Sequence, residues 1–129
     1  MTAILQNITM QLGIQQIQRH IFLCCDQTKP KCCNRETGLE AWDYLKKRLR
    51  ELDLAATHGI FRSKVNCLQI CHQGPIALVY PEGIWYHSCS PENLETIIQQ
   101  HLLLNQPVES LIFCRHPLPA PIDIDSGST

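Results

Sequence analysis

The chain has 129 residues, a formal net charge of −1 and eight cysteines. That length suits one compact domain with a hydrophobic core, and the near-neutral charge supplies no basic face for nucleic acid. Nowhere is there the run of roughly 20 apolar residues that spans a bilayer, so a cytoplasmic protein is expected, in whose reducing surroundings dense thiols are metal ligands or redox groups more often than structural disulfides.

Residues 1–18 contain apolar side chains but neither a basic leader nor an unbroken apolar run, and read as an extension. His20 to Cys25 is a short apolar run of strand length. The polar stretch Asp26 to Lys31, with Pro30, cannot continue it, so Cys24 stands where a strand opens into a loop. Thr37-Gly38-Leu39-Glu40 has the form of a capping box, and Leu39, Trp42, Leu45, Leu49 and Leu52 follow at helical spacing. An amphipathic helix from about Gly38 to Leu52 is expected. Lys46, Lys47, Arg48 and Arg50 on its other faces are read as a solvated surface before a docking site for an acidic partner.

A loop over 53–59 leads to a half-buried strand at 60–65. Ile76 to Tyr80 is apolar throughout; Pro81-Glu82-Gly83 turns the chain, and Ile84 to His87 returns as a hairpin partner. Ser90-Pro91-Glu92 announces a second helix, with Leu94, Ile97, Ile98 and Leu102 as its buried stripe. Residues 108–114 suit one more short extended segment, and the proline-rich end from His116 reads as a disordered tail. The domain is therefore expected at 19–115. A β-α-β start makes its two strands parallel if they are adjacent, and the whole order is that of an α/β thioredoxin-like fold: a central mixed four-stranded sheet, two main helices and the cysteine loops at one end.

Cys24 and Cys33 bracket eight residues, and Cys67 and Cys71 bracket three. Both pairs follow expected strands, so one sheet edge can bring four thiolates together. Two soft thiolates for each of two irons is what a [2Fe-2S] cluster requires. One helical turn over 67–71 would set the second pair on the same side. Three other readings use the same residues. A zinc-stabilised interaction module is disfavoured because four-cysteine zinc sites build on C-x2-C turns, which are absent. A thiol-disulfide oxidoreductase would want C-x-x-C at the first helix, and buried cysteines can also be simple hydrophobes. A Rieske centre lacks its second histidine, since only His72 adjoins a candidate cysteine; His72 is read as an outer or exposed residue. No catalytic triad, carboxylate pair or phosphate-binding glycine loop is visible, so no enzymatic group is expected apart from the cysteines.

Ile21-Phe22-Leu23-Cys24, the Cys67-Leu68-Gln69-Ile70-Cys71-His72-Gln73-Gly74-Pro75 turn and the Tyr80-Pro81-Glu82-Gly83-Ile84-Trp85-Tyr86 hairpin resemble those of the thioredoxin-like [2Fe-2S] ferredoxins. The likeness spans about residues 19–113, and in its first half is strongest to cyanobacterial members; the fold is shared with the small iron-sulfur subunit of respiratory complex I. The resemblance implies a one-electron carrier between redox partner proteins, a homodimer, and a [2Fe-2S] cluster on Cys24, Cys67, Cys71 and a fourth cysteine. The chain departs from the family pattern at that fourth position, where Cys32 and Cys33 stand side by side. Cys33 is preferred because its sulfur lies nearer the helix start. Cys25, Cys89 and Cys114 are read as core or surface thiols, Trp42 and Trp85 as core or dimer-surface aromatics, and Gly74-Pro75 as trans by default.

Overall fold

A computed structural model describes residues 2–25, 33–70 and 72–117. Its body is one mixed sheet with helices on one face. The strands are β1 (Arg19–Cys24), β2 (Ile60–Val65), β3 (Ala77–Tyr80), β4 (Ile84–Tyr86) and β5 (Ile112–Arg115), in the order β2-β1-β3-β4-β5. The helices are α1 (Thr2–Leu12), α2 (Arg35–Glu51), α3 (Leu54–His58) and α4 (Pro91–Ile97). β1 and β2 are parallel, with Cys24 opposite Val65, as the α2 crossover demands; every other pairing is antiparallel. The expected thioredoxin-like order is present. The sheet has five strands where four were expected, because the segment read as a short extended addition pairs with β4 as an edge strand.

Alternation along the strands divides the sheet into two unlike faces. Ile21, Leu23, Ala77, Val79, Ile84 and Tyr86 point to the helices and are buried against Leu45 and Leu49 of α2 and Leu94 and Ile97 of α4. A bridge ties these two helices at the surface. Arg48 donates from Nε to Glu95 Oε1 at 2.8 Å and from Nη2 to Oε2 at 3.0 Å, and the Tyr44 hydroxyl donates to Oε1 at 2.5 Å. Arg48 is thus engaged in packing α2 on α4, and Lys46 lies 3.7 Å from Asp43.

Four details differ from the sequence reading. α2 begins earlier, capped by Asn34, whose side chain accepts from the Thr37 N–H at 2.7 Å; Thr37 is inside the helix and forms no box. The stretch read as a loop over 53–59 folds into α3, which buries Leu54. Gly74-Pro75 is cis, as is Tyr80-Pro81. The N-terminal extension is helical over α1, yet none of its residues is buried.

Beyond α4 the chain continues as a π-helical turn, Ile98–Leu102, which buries His101 completely. His101 Nε2 lies 2.8 Å from Glu82 Oε1, and Nδ1 lies 2.8 Å from the Tyr86 hydroxyl, which accepts from the Val108 N–H at 3.1 Å. A carboxylate only accepts, so Nε2 carries the ring proton and Nδ1 accepts from Tyr86. Arg19 donates to the same Glu82 oxygen at 3.0 Å, joining β1, the β3–β4 turn, the π turn and the segment before β5 in one network. Burial holds the His101 pKa below the usual imidazole value, against the pull of Glu82, and pushes the Tyr86 pKa up to about 12.

Candidate functional site

Cys24 and Cys67 lie at the end of the sheet where β1 and β2 terminate. Cys24 is the last residue of β1 and is 1% exposed. Its backbone N–H donates to the Ile76 carbonyl at 3.0 Å, and the Ile76 N–H donates to Cys24 Sγ at 3.1 Å. The sulfur therefore sits in a dry site with a backbone dipole aimed at it. Such a donor stabilises a sulfur bearing negative charge, whether thiolate or metal-bound.

Cys67 lies two residues past the end of β2, in the neighbouring position that the parallel register dictates, and is exposed. Its sulfur accepts from the Gln69 N–H at 3.1 Å. Gln69 has φ 68°, in the left-handed region that side chains other than glycine enter at a cost. This conformation breaks the helical turn expected over 67–71: the loop bends back so that an N–H meets the sulfur two residues before it. Gln73 also has φ 53°, and the loop is tied to the β4–α4 connection by Ser88 N–H to the Gln73 carbonyl at 2.7 Å and Cys89 N–H to the Pro75 carbonyl at 2.9 Å. Cys33 is half-buried directly before the Asn34 cap, so the start of α2 fixes its backbone. Cys71 and the alternative Cys32 lie outside the described residues. Among the described residues, no three of His, Cys, Asp and Glu form a metal-holding group.

The remaining thiols separate cleanly. Cys25 and Cys89 are fully buried, and burial first, then the nearby Cys24, pushes the Cys89 thiol pKa up. Cys89 is thus a neutral thiol beside Cys24, and its neighbourhood was missed in the sequence because the two are 65 positions apart. Cys114 is exposed on β5. His72 is exposed, as read. Trp42 is half-buried against the core, with Lys46 Nζ 5.9 Å and the Arg62 guanidinium 5.7 Å from its ring centre. The surroundings of Cys24 and Cys67 suit iron-sulfur ligation in the chemistry of the donors: soft sulfurs, each met by a backbone N–H.

No family model matches the chain. Among curated proteins it is similar to a [2Fe-2S] ferredoxin of Aquifex aeolicus, at 28% identity over 102 residues covering 75% of this chain and 90% of the relative. It is likewise similar to a [2Fe-2S] ferredoxin of Clostridium pasteurianum, at 29% identity over 98 residues covering 73% of this chain and 94% of that protein. Among solved structures, a thioredoxin-like [2Fe-2S] ferredoxin from Aquifex aeolicus superposes with a TM-score of 0.67 at 25% identity, over 82% of this chain and 99% of that one.

Proposed function

We propose, from a chain that belongs with the thioredoxin-like [2Fe-2S] ferredoxins, that Cys24, Cys33, Cys67 and Cys71 hold one [2Fe-2S] cluster and that the protein carries single electrons between partner proteins. The observation that carries this reading is the pair of sulfurs at the ends of parallel neighbours, each accepting a backbone N–H at 3.1 Å. When bound, a [2Fe-2S] cluster supplies a one-electron couple between ferric and ferrous iron.

The chain's own residues set the conditions for that couple. Cys24 is anchored in the sheet, and its dry surroundings strengthen electrostatic interactions with the sulfur. The Ile76 and Gln69 N–H groups offset negative charge on Cys24 and Cys67, and so favour the reduced, more negative state. Cys67, on the exposed loop, forms the side of the site nearest a docking partner. Cys33 is the fourth ligand, preferred over Cys32 because it abuts the rigid start of α2.

We further propose a homodimer, supported by the aromatic sheet face that lies outside the main core of the described residues, and a cytoplasmic location, supported by the eight cysteines, a density that in a reducing compartment goes with metal ligation more often than with structural disulfides. Among the described residues, no helix is long and apolar enough to cross a membrane.

The test is anaerobic purification with iron and acid-labile sulfide analysis, and absorption and EPR spectra before and after dithionite. Two irons and two sulfides per chain, with an EPR signal appearing on reduction, are expected. Zinc without sulfide, or a metal-free protein that turns over disulfides, would overturn the reading. Cys32→Ser should leave the spectra unchanged while Cys33→Ser alters them; the reverse result transfers the ligand to Cys32.

A further inference from the structure

Two apolar surfaces lie outside the main core of the described residues, an exposed helix and a sheet face of half-buried aromatics with the exposed Phe113. The first is α1. Ile4, Leu5, Ile8 and Leu12 are 63%, 61%, 45% and 55% exposed, and the helical repeat places them within one arc of about 100°. An isolated helix of this length is marginal in water, and helices in proteins are held mainly by packing an apolar face. α1 buries nothing against its own chain.

The second surface is the sheet face turned away from α2 and α4. It presents His20, Phe22, Phe61, Tyr80, Trp85 and Phe113, none of them part of the main core. The rings are already ordered against one another: His20 stacks on Phe22 with centroids 4.4 Å apart, Phe22 meets Tyr80 edge-on at 6.5 Å, and Trp85 meets Phe113 at 6.3 Å. A groove of about 260 Å³, with Ile17, His20, Tyr80 and Pro81 among its walls, extends this face toward the root of α1.

The two surfaces match in chemistry. Residues 2–18 carry no charged side chain, and neither does the aromatic set on the sheet. A helix that lies on a lipid surface is normally rich in Lys and Arg on its polar face, whereas that face of α1 has no charge and carries Thr, Asn and Gln with Ala3 and Met10. A patch of this kind marks a protein contact. Two-fold pairing gives each copy one helix to donate and one face to receive it, so both surfaces are covered in a single closed dimer.

We propose that α1 of each protomer lies across the aromatic sheet face of a second copy. This rests on the homodimer reading above and names the contact that makes it. The arm exchange leaves the cysteine loops at the end of the sheet open for redox partners.

The test uses the full-length holoprotein under anaerobic conditions. Sedimentation equilibrium compares the native chain with Ile4→Gln/Ile8→Gln and with Leu5→Gln/Leu12→Gln. Each pair should weaken dimerisation at least about 100-fold, since every two-fold dimer loses four buried aliphatic side chains, while the visible absorption of the cysteine site stays unchanged and the far-ultraviolet circular dichroism loses no more than the contribution of α1. A photo-crosslinking residue at position 8, in a mixture of 14N and 15N chains, should give mixed-label products ending on Phe22, Tyr80 or Trp85. A dimer unaffected by both substitutions leaves the homodimer standing and overturns the arm exchange. A monomeric native chain overturns both. Crosslinks confined to one chain or running from α1 to α1 refute the proposed seat, as does helix-dependent binding to phosphatidylcholine vesicles by a chain whose dimer is insensitive to the substitutions.

Discussion

Cys24 and Cys67 leave neighbouring parallel strands at the same end of the sheet, and their surroundings could hardly differ more. Cys24 is enclosed by the sheet, with its N–H and its sulfur both bonded to Ile76. Cys67 is exposed on a loop whose shape depends on the left-handed backbone of Gln69 and Gln73. One sulfur is positioned by the fold whether or not anything binds it; the other is positioned by a loop that stores local backbone strain. A site built this way keeps one fixed anchor and one accessible side, which suits a carrier that must hold its redox centre while meeting partners.

The comparison breaks most visibly with two substitutions. Cys24→Ala and Cys67→Ala should each abolish a normal iron-sulfur spectrum. In the metal-free protein, Cys24→Ala leaves the Ile76 N–H buried without an acceptor and opens a small cavity, so chemical denaturation should show a loss of about 2–3 kcal/mol. The exposed Cys67→Ala should change stability by no more than about 0.5 kcal/mol. Equal losses would mean that the second loop is as much a part of the fold as the strand.

A second contrast sets the cysteine end against the polar network below it. His101→Leu leaves the Tyr86 hydroxyl proton without its buried acceptor and leaves Glu82 paired with Arg19 alone, and should cost about 2 kcal/mol in denaturant unfolding. The spectrum of the cysteine site should change little, because Glu82 and Arg19 lie at the opposite end of the sheet and Tyr86, whose backbone pairs with Ala77 near the cysteine end, joins the network only through its hydroxyl. The same residue governs a pH limb. Its folded pKa lies below 6.5, so as pH falls past 6.5 the unfolded chain takes up a proton that the folded chain refuses, and stability declines. His101→Gln should reduce that limb, seen as a flatter midpoint between pH 7 and pH 5, and leave the share of His20, whose pKa burial also lowers.

The third effect is smaller and sits at lower pH. Arg48 holds the Glu95 pKa at about 2, below its usual 4.5. The stabilisation is therefore present above pH 4.5 and lost as pH falls toward 2. Glu95→Gln should lower stability by about 1 kcal/mol at pH 7, a value discounted for solvent screening, and by almost nothing at pH 2. An unchanged pH 7 value would show that α2 and α4 are held by Leu45, Leu49, Leu94 and Ile97 alone.

Much of this division was legible in the sequence. Ile76 to Tyr80 announced a buried strand by its unbroken apolar run, and Ser90-Pro91-Glu92 announced α4. The C-x3-C turn with Gly74-Pro75 and the following hairpin pointed to iron-sulfur chemistry and to the fold. Hidden were features created by tertiary contact. His101 lies in a segment that reads as an ordinary helix end, and its partners are 15 and 19 positions away. The unequal burial of Cys24 and Cys67 depends on which side of the sheet the chain next crosses. α1 escaped because none of its residues is buried among the described residues; of β5 the extended segment was legible at 108–114, while its pairing with β4 through an irregular register was not.

The start of α2 gives the finest test, because it decides how rigidly Cys33 is held. The Thr37-x-x-Glu40 pattern is a sound capping signal, yet Asn34 takes the position three residues earlier, where its side chain reaches the Thr37 N–H at 2.7 Å. An earlier cap adds residues 35–37 to the helix and brings its first turn against Cys33. Asn34→Ala should cost about 1 kcal/mol, whereas Thr37→Ala, a substitution inside the helix toward a better helix former, should be neutral or slightly stabilising. The decisive measurement joins this to the metal site. If the cap also orders Cys33, iron should leave the Asn34→Ala protein faster under a chelator than it leaves native protein, while Thr37→Ala loses iron at the native rate. Equal rates in all three would detach the fourth ligand from the helix start and leave Cys24 as the site's single rigid anchor.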